Sequence, residues 1–191
     1  MQEQYIQDKT FEKINFPQQP LMAGEYENCT FTQCDFSENT FIDYKFIDCV
    51  FKGCNLSMGK LDKTTLRDVK FYDCKMLGLR FDMCNTFGLT FYFESCQLDH
   101  SSFYKLQITK TIFKDSSLKG VDFVDTNLTS AVFDNCDLAQ AVFENTMLEK
   151  ADLRNAFNYS IDPEMNKIKK AKFSLPFVIG LLAKYDIVIQ K

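Results

Sequence analysis

Apolar residues recur at every fifth position. From Ile6 through Phe11, Phe16, Leu21 and Tyr26 to Phe91, only Thr86 interrupts the series, and a second frame runs from Phe93 through Leu98 and Phe103 to Leu153 without a break. A period of five fits neither an α-helix (3.6) nor a β-strand (2.0), so the chain must turn regularly to keep each fifth side chain inside. Like residues also recur at twenty: Phe11, Phe31, Phe51, Phe71 and Phe91; Leu98, Leu118 and Leu138; Phe103, Phe123 and Phe143. Four five-residue sides per coil place each set in one interior column with a repeat of about 4.8 Å, the pairing distance of β-strands. The pattern predicts a solenoid.

The position two before an apolar centre is mostly small: Cys29, Cys34, Cys49, Cys54, Cys74, Ser101, Thr126, Ala141 and Ala151 are examples. A small residue beside a large one on the same side of an extended backbone suits a narrow interior corner. The remaining positions are polar, as in CTFTQ (29–33), CDLAQ (136–140) and ADLRN (151–155).

On these residues the sequence resembles the pentapeptide-repeat proteins, whose motif is a small residue, Asp or Asn, Leu or Phe, and two polar residues. The match spans at least Tyr26 to Ala156. The resemblance implies a right-handed quadrilateral parallel β-helix, an all-β solenoid.

All eight cysteines fall in the small interior position, which predicts small buried hydrophobes rather than ligands or disulfide partners. Spacings of five, without CxxC or a histidine nearby, do not suit a metal cluster. Cys34, Cys54 and Cys74 are expected to stack in one column.

Along the chain, residues 1–25 keep the frame but contain Pro17 and Pro20, which predicts an irregular first coil acting as a cap. The repeat domain is expected over 26–173. A two-residue slip at 86–96 changes the frame, read as a bulge that pushes Phe87 or Tyr92 outward. In 174–191, Ser174 suits an N-cap, Pro176 the first turn, and Phe177, Leu181 and Tyr185 lie at helical spacing, which predicts a short C-terminal α-helix. Its Phe177, Val178, Leu181, Leu182 and Tyr185 form a candidate homodimer interface. Residues 187–189 (IVI) have strand character.

Composition narrows the function. There is one histidine, His100, in an outward repeat position, and only seven glycines. No HExxH, Walker loop or GxSxG occurs, so neither a catalytic site nor a cofactor or metal is expected. The net charge of −4 disfavours direct nucleic-acid binding. The longest apolar run, 177–183, is too short for a membrane span, and with no apolar leader the expectation is a cytoplasmic protein.

Charge by segment is more telling than the total. Between Lys119 and Lys150 stand Asp122, Asp125, Asp134, Asp137, Glu144 and Glu149 with no base among them, whereas 157–191 carries an excess of lysine. The six acids are a candidate partner-binding surface, with Asp122, Asp125 and Glu144 expected on one side of the solenoid. The function expected is therefore a non-enzymatic structural or protein-interaction scaffold. The alternative comes from the resemblance: the quinolone-resistance (Qnr-type) branch consists of dimeric DNA mimics that bind DNA gyrase or topoisomerase IV and modulate fluoroquinolone action. This chain lacks the loop insertions usual in that branch.

Overall fold

The computed structural model describes residues 4–185 and 187–190. Every coil turns at four corners. The second residue after most apolar centres is in the left-handed region, as at Asp48 (φ 52°), His100 (φ 61°) and Asn135 (φ 52°). Asp and Asn tolerate this conformation better than most side chains, and both are frequent there. Of the three residues that follow a corner, the first and third point inward, as Cys49 and Phe51 do on either side of the outward Val50.

Eleven short strands result: β1 (Gln4–Gln7), β2 (Thr10–Glu12), β3 (Gly24–Glu27), β4 (Thr30–Thr32), β5 (Lys45–Ile47), β6 (Val50–Lys52), β7 (Thr65–Arg67), β8 (Val69–Tyr72), β9 (Phe91–Glu94), β10 (Ile112–Lys114) and β11 (Val132–Asp134). They form two parallel sheets. One, the first wall of the coil, has the order β1-β3-β5-β7; the other, the second wall, runs β2-β4-β6-β8-β9-β10-β11. The third and fourth walls are ladders of isolated parallel bridges such as Asp35↔Asn55 and Asp122↔Val142. Registers are offset by twenty, as in Phe31↔Phe51, and by twenty-two between β8 and β9, as in Phe71↔Phe93.

The core is a set of ring stacks. On the second wall Phe11, Phe31, Phe51, Phe71, Phe93, Phe113 and Phe133 stack in turn, with centroids 4.8–5.3 Å apart. On the fourth wall Phe81, Phe103, Phe123 and Phe143 do the same at 4.6–5.5 Å. Rings of the two opposite walls meet edge-on, as Phe113 does with Phe103 at 82° and with Phe123 at 76°, so these rings have both offset-stacked and edge contacts, the two favoured arrangements.

The sequence reading needs two corrections. Phe91 does not continue the Phe71 column: Phe93 does, and Phe91 pairs with Val69. Asn85 still pairs with Thr65 at an offset of twenty, so the two extra residues lie between Asn85 and Phe91. Within that segment Thr86 is exposed and Leu89 is buried, so Leu89 supplies the apolar side chain that Thr86 cannot. No backbone hydrogen bond joins 86–89 to another coil among the described residues, and the first-wall sheet stops at β7.

The second correction concerns the C-terminus. The expected α-helix is absent; two short 3-10 turns, Val178–Leu181 and Ala183–Tyr185, occupy its place. The cause is tertiary. Gly180 gives its carbonyl to the N–H of Ile161 at 3.0 Å, and a Cβ there would lie 2.2 Å from the Tyr159 carbonyl oxygen. Docking this close uses a carbonyl that an α-helix would need for Lys184, and glycine and β-branched residues are poor helix formers. Residues 187–189 form no strand and are exposed.

Candidate functional site

The inward positions leave little room for chemistry. A void of about 10 Å³ lies among Phe46, Leu56, Leu61, Leu66, Phe71 and Phe81, too small for a ligand. All eight cysteines are free and buried. Six of the thiols donate to main-chain carbonyls one coil below, among them Cys49 to Tyr26 and Cys54 to Phe31, both at 3.3 Å. Burial pushes the Cys49 and Cys136 thiols up to about 12, which suppresses the nucleophilic thiolate. No group of three or more His, Cys, Asp or Glu residues is placed to hold a metal among the described residues.

The outward positions of the walls carry the charged side chains. Asp122, Asp125 and Glu144 share the fourth wall: Asp122 pairs with Val142 in the ladder, and the Asp125 N–H donates to the Glu144 carbonyl at 2.9 Å. None of the three joins an ion pair among the described residues, although Arg80 on the same wall is close enough to sense Asp122. The other three acids point elsewhere. Asp134, on the second wall, accepts from Asn155 at 2.7 Å. Asp137, on the third, is 3.2 Å from Lys119 and accepts from Asn158, and although desolvation opposes it, these contacts lower its pKa. Glu149 lies on the first wall, one position after Leu148. The six do not form one patch.

The C-terminal residues divide similarly. Phe177 and Leu181 pack on their own chain's core, with the Phe177 ring 6.3 Å from Phe157, and Val178 is half-buried. Leu182 and Tyr185 are exposed. Lys184 clamps the terminus to the last coil through Asp162 and Glu164, both at 2.8 Å, and these carboxylates raise its pKa. Sequence reasoning missed the exposed Leu175 and Ile179, because it assigned positions by helical spacing, and read Val188 only as part of a strand-like segment. Ile179, Leu182, Ile187 and Ile189 line an open groove with Tyr159, whose buried hydroxyl has no hydrogen-bond partner.

Phe87 is 76% exposed on the bulge, while Tyr92 is half-buried and donates to Glu94 at 2.6 Å.

A four-sided parallel coil with small interior corners, stacked aromatic columns and left-handed corner residues defines a parallel β-solenoid built on five-residue units. Residues 25–92 and 90–157 match the pentapeptide repeat region, and the chain belongs to the pentapeptide-repeat family. Its fold is similar over 96% of its length to all of QnrB1, a plasmid-mediated fluoroquinolone resistance protein, with a TM-score of 0.63 and 15% identity. The right-handed quadrilateral β-helix is thus the fold of this chain. HetL, a pentapeptide-repeat protein involved in heterocyst differentiation regulation in the cyanobacterium Nostoc, is more distant, with a TM-score of 0.38 and 11% identity over 89% of this chain and 87% of its own. No curated protein matches the sequence. No helix among the described residues is long and apolar enough to cross a membrane.

Proposed function

We propose that the protein is a non-enzymatic interaction scaffold whose outer walls present side chains in a fixed lattice to a protein partner. The packed interior carries this reading: with the inward positions filled, what varies between coils lies outside. It acts without a cofactor and without gripping nucleic acid directly. The cytoplasm suits eight buried free thiols, and the exposed C-terminal apolar residues, Leu182 and Tyr185 foremost, suit end-to-end pairing of two copies. The test is capture of partners from the native cytoplasm by wild-type protein and by wall-specific charge variants. Loss of a given partner with changes on one wall supports the scaffold; identical capture by all variants overturns it.

A second reading has its own support in the acids of the fourth wall. Asp122, Asp125 and Glu144 present negative charge on a rigid rod, the arrangement that a DNA mimic offers to the basic surface of DNA gyrase or topoisomerase IV. A gyrase supercoiling assay over a titration of this protein, with and without a fluoroquinolone, tests it. Inhibition or drug protection that fades in the Asp122→Asn, Asp125→Asn, Glu144→Gln variant supports mimicry; no effect at large excess removes it for that enzyme.

A further inference from the structure

The first wall reverses its charge along the rod axis. The column of corner residues on this wall reads Asp8, Asn28, Asp48, Asp68, Gly88, Lys110, Ser130, Lys150 and Lys170, one per coil. Acids occupy one half and lysines the other, with the Gly88 bulge at the midpoint. The neighbouring columns follow suit, adding Glu25 and Glu27 to the acidic half and Lys167 and Lys169 to the basic half. Lys45 and Arg67 are the cations of the first half, and Glu149 is the carboxylate of the second. All five lysines of the basic half are exposed and none is in an ion pair among the described residues. Phe87, exposed on the bulge, marks the centre.

A wall whose charge inverts about its own midpoint is complementary to itself. We propose that the first wall is a self-recognition surface on which a second copy of this chain packs antiparallel, wall to wall, about a two-fold axis at Phe87. A two-fold axis lying along the strand direction reverses the rod axis and keeps each column opposite itself. Counting coils outward from Gly88, Asp68 then faces Lys110 of the second copy, Asn28 faces Lys150, and Asp8 faces Lys170. Tyr5 faces Lys167, a cation–π geometry. One like-charge pair, Glu27 with Glu149, opposes this, with Lys150 and Lys169 beside Glu149 to offset it. The parallel arrangement is excluded on charge, because it sets acids on acids and lysines on lysines. Phe87 meets its twin at the axis and supplies the apolar centre that a rim of charge pairs needs. A wall about 40 Å long and about 15 Å wide offers about 600 Å² per copy, which suits a weak, reversible dimer.

This dimer differs from end-to-end pairing, which leaves the two Phe87 residues well apart. The experiment is sedimentation of the full chain at low and high salt, with a charge-swap cycle. Association is expected to weaken at least tenfold between about 50 mM and about 500 mM salt, as charge pairing on exposed surfaces requires. Asp68→Lys and Lys110→Asp should each weaken it about tenfold, and the double variant should restore it. A short bismaleimide should link Phe87→Cys chains into dimers, because the native cysteines are buried. A monomer at low salt, a double variant that fails to restore association, or a dimer linked through Val188→Cys and not through Phe87→Cys would overturn the proposal. Circular dichroism of each variant separates loss of association from loss of fold.

Discussion

Thr126 donates its hydroxyl to the carbonyl of Phe103, 2.8 Å away in the coil below. The same bond is made by Thr146 to Phe123 at 2.8 Å and by Thr64 to Phe41 at 2.7 Å, and in weaker form by the cysteine thiols. The small corner residue thus has two tasks, fitting the corner and giving a second hydrogen bond to a carbonyl that also accepts a backbone N–H, as Phe103 does from Leu106 at 3.1 Å. Thr126→Val keeps the shape and removes only the side-chain bond, and should cost about 0.5–1.5 kcal/mol. Thr126→Ser should cost less than half of that. Equal losses in urea denaturation would show that shape alone matters.

Phe123 is fully buried between Phe103 and Phe143, with centroids at 5.5 Å and 5.2 Å. Neighbouring coils hold the ladder fixed, so the site cannot collapse. Phe123→Ala should lower stability by about 3–5 kcal/mol. A difference under about 1 kcal/mol in chemical denaturation would contradict the stack as a source of stability.

The cysteines should be silent in the native protein. With all eight thiols buried, Ellman's reagent should label none until the coil opens. Labelling under unfolding conditions should track the loss of circular dichroism. Rapid labelling of one thiol in native buffer would reveal local opening around it.

Asp152 carries a pH prediction. Bonds from Arg154 at 2.8 Å and from Lys172 at 3.3 Å hold its carboxyl at about 2, below its usual value. A depressed native value means that the stabilisation is present above the unfolded-state pKa, near 4, and is lost as pH falls from about 4 to about 2. Both cations are more than half exposed, so the effect should be under about 1 kcal/mol. Asp152→Asn should flatten acid denaturation within that window, and an unchanged profile would show the pair to be inert.

Gly180→Ala drives a Cβ into the Tyr159 carbonyl and ring. The C-terminal turns should lift off, exposing Phe177 and Leu181, and tryptic cleavage at Lys184 should accelerate severalfold while the coil remains folded. Unchanged cleavage would mean that the turns can shift as a unit.

Most of the interior was legible because a coil of fixed circumference converts spacing directly into position. Phe103, Phe123 and Phe143 could be stacked by counting, and so could Asp122, Asp125 and Glu144 be set on one wall. Counting fails where the circumference changes. Phe91 and Phe93 are both apolar, and only pairing with Val69 and Phe71 decides which belongs to which column. At the C-terminus, Phe177, Leu181 and Tyr185 fit helical spacing, yet the close approach of Gly180 to Tyr159 is a contact between segments, which no local pattern records. The charge inversion of the first wall was present in the sequence but visible only after each residue had been assigned a wall.

The interrupted ladder at 86–89 also gives the rod a direction of easy bending. The second-wall sheet runs unbroken from β2 to β11, while the first-wall sheet ends at β7. A beam reinforced on one side and notched on the adjacent side flexes by opening and closing the notch. The two halves of the rod can therefore rock about the bulge, widening or narrowing the gap between Arg67 and Lys110 while the phenylalanine stack of the second wall stays in register. A partner that grips both halves would feel this as compliance in one plane and stiffness in the other.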